Sequence, residues 1–364
     1  MISILQVIGK RKKLLLGLVL LALLGGVMFL APARTPLIRD PQGGVVPDSV
    51  ASLEQVTLGG MEQSILVRSR DKRNPILLFL HGGPGYPQIA YARKYQQELE
   101  NQFTVVNWDQ RGSGKSYRWG MTEDDLQVDK LVEDTHELTN YLRKTFNQPK
   151  IFLVGHSWGS LLGIWTVQKY PDDYYAYIGI GQVANSPEGE RLSYEFALRE
   201  AEARSNAEAV QALRSIGSPP YANPRKDTTL ERKWVTAFGG SERQIDSNAG
   251  LIQGILFSPE YTLLDGIRLA QGNALSLRAI RPQTENTNLF ETVPELKVPV
   301  YLTMGRYDYM TPSEVAYRYY EKLLAPKKQF VWFEKSAHFP HFEEADKFSR
   351  LMADIKEETW RPSP

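Results

Sequence analysis

The chain has 364 residues, 42% of them hydrophobic and 23% charged, the balance of a globular protein long enough for one large domain with an insertion. Its 43 basic and 42 acidic residues leave a formal net charge of +1, so no global field favours nucleic acid or an acidic partner. Cysteine is absent, which excludes disulfides, thiolate nucleophiles and Cys-ligated metal; the five histidines show no H-E-x-x-H or similar paired spacing, so no metal and no other cofactor is expected.

Residues 1–13 end in Lys10-Arg11-Lys12-Lys13 and are expected to be a basic cytoplasmic N-terminus. Leu14 to Leu30 follow, seventeen residues without a charge. At about 1.5 Å rise each they nearly span a hydrocarbon core of roughly 30 Å. Residues 14–33 are therefore expected to be a transmembrane signal-anchor, making the protein single-pass at the cell membrane with its folded body outside the cytoplasm. Ala31-Pro32-Ala33 resembles an A-x-A cleavage site, and cleavage there would give a secreted protein instead. Residues 34–49 hold three prolines and two glycines and read as a linker.

From residue 50 short apolar runs alternate with helical stretches. Val56 to Leu58 and Ser64 to Arg68 flank Gly59-Gly60 as an early hairpin, while Pro75 to Leu80 and Phe103 to Asn107 are continuous apolar runs of buried-strand type, with a helix between them at 88–100. A helix at Val128 to Phe146 leads to the strand Ile151 to Val154, another runs from Ser160 to Tyr170, and Tyr177 to Gly181 is a strand. Near the C-terminus come Val298 to Met304, a helix at 312–324, the strand Gln329 to Phe333 and a helix at 343–358. This strand-helix rhythm implies a mostly parallel sheet with helices on both faces, spanning 50–182 and 294–364. Residues 183–293 break the rhythm with helical stretches such as Glu190 to Leu213 and read as an inserted helical cap. Its aromatics, Tyr194, Phe196, Trp234, Phe238, Phe257 and Tyr261, are expected to form the cap's own core.

Three motifs carry chemistry. Gly155-His156-Ser157-Trp158-Gly159, directly behind a strand, has the form of a nucleophile elbow, in which a turn too sharp for side chains at the flanking glycines lifts one serine out of the backbone. A nucleophilic serine requires a base and a group to orient that base. Asp308 lies in the loop after the strand Val298 to Met304, and His338 in the loop after Gln329 to Phe333. The carboxyl edge of a parallel sheet gathers such loops, so Ser157, His338 and Asp308 are expected to converge as nucleophile, base and orienting acid. His341 is the rival base. His81-Gly82-Gly83-Pro84-Gly85, behind the strand Pro75 to Leu80, is expected to supply an oxyanion donor from Gly83, or from Gly82, beside the Trp158 N–H; His81 itself is expected to hold that loop.

HGGPG at 81–85, Trp108-Asp109-Gln110-Arg111-Gly112-Ser113-Gly114-Lys115-Ser116, and GHSWG at 155–159 together resemble the proline iminopeptidase, or prolyl aminopeptidase, family of α/β-hydrolase serine peptidases. The resemblance implies an α/β-hydrolase fold, with the triad at Ser157, Asp308 and His338 under a helical cap. It implies a serine aminopeptidase releasing N-terminal, proline-type residues from short peptides, with a carboxylesterase or amidase of the same fold as alternative and a non-catalytic membrane-tethered binding protein as the remote one. Family members hold the substrate's free amine with acidic cap residues, for which Glu188, Glu190 and Glu195 are the candidates. The 109–116 stretch supports the active site in that family; Gly114-Lys115-Ser116 is not a phosphate loop, because Asp109 stands where the first glycine is required. The expected partners are a small peptide or acyl substrate and, through the N-terminal segment, a membrane. No feature specifies an oligomeric state.

Overall fold

A computed structural model describes residues 32–361 and, before them, only Gly17 and Gly26. An antiparallel hairpin opens the body: β1 (Val50–Leu58) and β2 (Met61–Ser69) turn at Gly59 and Gly60, which both hold positive φ. Then follow β3 (Ile76–Leu80), α1 (Ile89–Gln96), β4 (Thr104–Asp109), α2 (Val128–Thr145), β5 (Ile151–His156), α3 (Trp158–Lys169) and β6 (Tyr174–Ile180). Six helices intervene before the sheet resumes: α4 (Ser186–Ala203), α5 (Ala207–Ile216), α6 (Pro224–Ala237), α7 (Ser247–Phe257), α8 (Leu263–Thr284) and α9 (Leu289–Thr292). The chain closes with β7 (Val300–Gly305), α10 (Ser313–Lys322), β8 (Lys328–Phe333), α11 (Pro340–Glu343) and α12 (Ala345–Thr359).

The eight strands form one sheet in the order β1-β2-β4-β3-β5-β6-β7-β8, antiparallel at β1/β2 and β2/β4 and parallel from β4 to β8. Because side chains alternate across a strand, both faces of the central strands are apolar. Ile76, Leu78 and Leu80 of β3 and Leu153 of β5 join one buried cluster; Leu77 and Phe79 of β3 and Phe152 and Val154 of β5 join the other. Helix α3 is buried among β5, β6 and α2 except at its end, Gln168 and Lys169, and Gly163 lets it close on the sheet: a Cβ there would stand 2.6 Å from the Tyr177 ring.

Two expectations about the inserted helices change. The run from Glu190 to Leu213 is two helices, broken where Ser205 takes φ 52° and the Asn206 side chain accepts from the Ala209 N–H at 3.0 Å to start α5. Tyr194, Phe196, Trp234 and Phe238 do pack into one cluster, and Tyr261 is buried in a second, but Phe257 is 78% exposed at the last residue of α7.

The membrane expectation is corrected. Among the described residues no helix is long and apolar enough to cross a membrane. The three longest of them, α2, α4 and α8, are interrupted throughout by charge, as at Asp129, Glu133, Glu188, Arg191, Asp265, Arg268, Arg278 and Arg281. Of the segment 14–33, only Gly17, Gly26, Pro32 and Ala33 fall among the described residues. The placement of the folded body outside the cytoplasm rested on that segment, and falls with it.

Candidate active site

Every candidate residue of the core sits just beyond the carboxyl end of a strand. Ser157 follows β5 and caps α3 with φ 56° and ψ −120°, a left-handed backbone that a non-glycine residue adopts at a cost of about 1–3 kcal/mol. Neighbouring main chain enforces it. A Cβ on Gly155 would stand 2.3 Å from the Gly159 carbonyl oxygen, and one on Gly159 would stand 2.2 Å from that of Leu80, so both flanking glycines are steric requirements. The Ser157 N–H is tied to the Ile180 carbonyl at 2.9 Å, fixing the elbow to the next strand.

Asp308 and His338 meet at this edge. Asp308 Oδ2 accepts from His338 Nδ1 at 2.8 Å and from Thr311 Oγ1 at 2.9 Å, while Oδ1 accepts the N–H groups of Met310 and Thr311, each at 2.9 Å. Nδ1 of His338 is thereby the donor nitrogen, and Nε2 is left as the acceptor. The residue is further fixed through its main chain: the His338 backbone N–H donates to the Ser241 carbonyl at 2.8 Å, and the His338 backbone carbonyl accepts from His156 Nε2 at 2.9 Å. Gly181, at φ 54°, makes room for the pair, since a Cβ there would lie 2.9 Å from His338 Nδ1 and 3.3 Å from Asp308 Oδ2. Ser157 Oγ makes no hydrogen bond among the described residues, but Ser157 and His338 line one cleft of about 1120 Å³. His341, the rival base, is buried without a hydrogen bond to either ring nitrogen, packed 3.8 Å from the Phe342 ring; burial pushes it down to about 3.

The glycine loop lies against the serine. A Cβ on Gly82 would stand 3.0 Å from the Ser157 Cβ, and Gly83, at φ 115°, borders the cleft. The Gly82 carbonyl accepts from the Tyr86 N–H at 3.1 Å and from His81 Nδ1 at 2.9 Å, so the Gly83 N–H of the same planar peptide points the opposite way. Among the described residues, neither it nor the N–H of Trp158, first residue of α3, has a hydrogen-bond acceptor.

Sequence reasoning missed the residue that binds these parts together. Gln110 donates from Nε2 to the His81 carbonyl at 3.0 Å, accepts at Oε1 from Trp158 Nε1 at 2.9 Å, and donates its own N–H to His81 Nε2 at 3.2 Å. One side chain thus spans the glycine loop and the elbow. The imidazole of His81, buried and pushed down to about 4 by that burial, is a neutral spacer between Gly82 and Gln110. The rest of the same loop grips the inserted helices: Lys115 Nζ pairs with buried Asp265 of α8 at 2.6 Å, and Tyr261 donates to buried Asp109. Neither Gly181 nor Thr311 lies in a motif that marks it; for Gln110 the signal was its place inside the 109–116 run.

The three acidic candidates of the insertion separate. Glu188 pairs with Arg318 at 2.7 Å and Glu195 with Arg191 at 2.5 Å, both outside the residues lining the cleft. Glu190 does line it, and there it accepts from Arg232 at 2.6 Å while Arg281 stands 3.6 Å away.

Residues 75–345 match the family described as alpha/beta hydrolase fold. The chain belongs to that family. It is 35% identical over 306 residues to a protein of Bacillus subtilis (strain 168) named "Probable aminopeptidase YbaC", covering 84% of this chain and 96% of that one. It is 25% identical over 294 residues to a proline iminopeptidase of Heyndrickxia coagulans, covering 77% and 89%. Among solved structures, a proline iminopeptidase-related protein from Thermus thermophilus superposes with a TM-score of 0.57 at 19% identity, over 85% of this chain and 98% of that one, a likeness of fold. This α/β-hydrolase is therefore a hydrolase with aminopeptidase and proline iminopeptidase relatives.

Proposed function

We propose that this α/β-hydrolase is a serine aminopeptidase that releases N-terminal, proline-type residues from short peptides through an acyl-enzyme on Ser157. The observation that carries the reading is the buried Asp308–His338 pair at 2.8 Å in the same cleft as a serine held at φ 56°. Its direction of specificity is supported by the 35% identical relative named an aminopeptidase.

The chemistry follows from the tautomer. His338 Nε2 takes the Ser157 hydroxyl proton as Oγ bonds to the scissile carbonyl carbon; Asp308 holds the ring and stabilises the imidazolium. Negative charge gathering on the carbonyl oxygen is met by the N–H groups of Gly83 and Trp158. Collapse breaks the C–N bond, and His338 Nε2 returns the proton to the departing amine. Water then gives a proton to His338 Nε2 as its oxygen bonds to the acyl carbon; the acyl carbon–Oγ bond breaks, His338 returns the proton to Ser157 Oγ, and the acid leaves. Helices α4 to α9 act as a cap over this site, and Glu190 is the residue that meets the substrate amine.

A second reading, a carboxylesterase or amidase on the same triad, is favoured by one observation: Glu190 is already shared by Arg232 and Arg281, which weakens its pull on an ammonium group. Unblocked and amino-blocked prolyl arylamides, assayed beside short acyl esters, separate the two. The peptidase reading predicts that blocking the amine lowers kcat/KM by about tenfold or more, the loss of one charge-assisted contact. Equal rates on both forms would end it. In either case Ser157→Ala should lose on the order of 10⁴-fold or more in kcat and all labelling by a fluorophosphonate; labelling that survives the substitution would remove Ser157 from the mechanism.

A further inference from the structure

The roof of the cleft is cationic. On α6, Arg225, Thr228, Thr229 and Arg232 line the cleft, and their spacing of three, four and seven residues puts them on one helical face. From α8 come Arg278 and Arg281. Against four guanidinium groups the lining sets three carboxylates, Glu123, Glu190 and Glu285. The floor around Ser157 is apolar, formed by Leu161, Val183, Ala184 and Val315.

Two of the arginines are already engaged. Arg278 pairs with Glu123 at 3.2 Å. Arg232 bonds Glu190 at 2.6 Å, lies 3.3 Å from the buried Glu231 carboxylate, and also donates to the Ser193 hydroxyl. The other two have donors to spare. Arg281 gives a single hydrogen bond, from Nη2 to Thr228 Oγ1; its nearest carboxylate oxygen, on Glu190, is 3.6 Å away, beyond hydrogen-bond reach. Arg225 has no carboxylate partner among the described residues, and Glu285 is exposed at the margin without an ion pair. Arg281, a planar guanidinium fork with free donors partly withdrawn from water above an apolar floor, matches a carboxylate in both charge and shape, and exposed Arg225 adds a second cation at the rim.

We propose that Arg281 and Arg225 form a subsite for a substrate carboxylate, so that this hydrolase prefers acyl compounds with a free carboxyl group, first among them di- and tripeptides with an unblocked C-terminus. The cleft, at about 1120 Å³, is large enough for such a ligand beside the reacting group. The proposal rests on the reading of Ser157 as the acylated residue, and deepens it by naming what the far end of the substrate carries.

Binding without turnover tests it directly. Ser157→Ala protein is heated with millimolar prolylalanine or its C-terminal amide, and with monomethyl glutarate or its dimethyl ester, which places the carboxylate on the leaving-group side or on the acyl side. In at least one pair the acid should raise Tm and its neutral counterpart should not, because a ligand that binds only the folded state stabilises it. Adding Arg281→Gln should abolish the difference, and Arg225→Gln, at an exposed position that folding does not need, should reduce it. In the Ser157 enzyme the acid of that pair should show kcat/KM about tenfold or more above its neutral counterpart, falling toward parity in Arg281→Gln. Equal Tm shifts for acid and neutral ligand in both pairs, or a difference that survives both arginine substitutions, would overturn the subsite. Failure of the unsubstituted enzyme to take a fluorophosphonate label at Ser157 would instead overturn the acyl-enzyme reading, and leaves the Tm comparison standing as the measure of the subsite.

Discussion

Two regions face each other across the cleft, and different forces hold them. Beneath it, the strand ends and their loops are fixed by main chain against main chain: Gly155 against Gly159, Gly159 against Leu80, and Gly305, where a Cβ would lie 1.9 Å from the Ala337 carbonyl oxygen. Above it, the inserted helices touch main chain at Gly254 and Gly272 but are joined in addition by side-chain charge, as in Arg232 with Glu190 and Glu231, or Lys115 reaching up to Asp265. The first kind of contact tolerates no substitution and writes itself into the sequence as glycine at fixed spacing. The second can be rebuilt with other charges, so it leaves no motif. Under the proposed function, the floor of this cleft carries the chemistry and its roof the selectivity.

If the floor is held by close approach, its glycines should fail first. Gly159→Ala should cost about 3–5 kcal/mol of stability or prevent folding, because the clash at 2.2 Å is with backbone that cannot swing aside. Chemical denaturation reads this directly; a Gly159→Ala protein within 1 kcal/mol of the parent, a bound of about one ordinary substitution, would break the distinction between floor and roof.

The same distinction explains what the sequence disclosed. The loop positions of Ser157, Asp308 and His338 were legible because each follows a strand at the sheet's carboxyl edge. The split at Ser205 was not, since residues on both sides are good helix formers and only the Asn206 cap marks the second start. Nor was the state of Glu190. That carboxylate faces the cleft as a candidate should, but it is paired with Arg232 and has Arg281 3.6 Å away, on two other helices distant in sequence. Gln110 occupies the middle case: its motif was visible, while its three bonds to the glycine loop and the elbow needed the fold.

The roof's dependence on charge can be sharpened at its buried junction with the core. Burial pushes Asp265 up, but Lys115 and the Thr262 donors hold it below the ordinary carboxylate range. Lys115→Met keeps the length of the side chain and removes the charge, leaving a buried carboxylate whose remaining cation is Arg268 at 3.1 Å. The expected loss is about 3 kcal/mol. The double substitution Lys115→Met with Asp265→Leu should recover most of it; a double variant as unstable as the single one would show that the pair is not what joins roof to floor.

A smaller effect separates the regions by pH. Burial pushes His81 down to about 4, His341 to about 3 and His156 well below its ordinary value, all at the floor. The unfolded chain then binds protons that the folded one refuses, so these contributions are present above about pH 6.5 and are lost as pH falls toward 3. Asp109, pushed up to about 7 mainly by burial, acts in the opposite sense: its contribution is full below about 3.8 and is lost as pH rises through about 7. Burial also raises Glu100, Glu231 and Glu343, which act in the same sense as Asp109, so the histidine contribution is read by removing one histidine at a time. His341→Phe, which sacrifices no hydrogen bond, should recover about 2 kcal/mol at pH 4.5 and nothing at pH 8. An equal gain at both values would assign the effect to packing alone.

The least effect is expected where the roof is loosest, and its sign should reverse. Gly250 lies in α7 with only the Tyr95 hydroxyl near it, at 3.8 Å from a Cβ built there, and at an ordinary helical φ. Alanine would cost no contact and would lower the backbone entropy of the unfolded chain, so Gly250→Ala should stabilise by about 0.5–1 kcal/mol. One turn later in the same helix, a Cβ on Gly254 would stand 2.6 Å from the Ala90 carbonyl oxygen of α1, and there alanine should destabilise. The pair isolates close approach from helix propensity within a single element: if both substitutions stabilise, α7 yields where it meets α1, and the rigidity assigned to main-chain contact stops at the floor of the cleft.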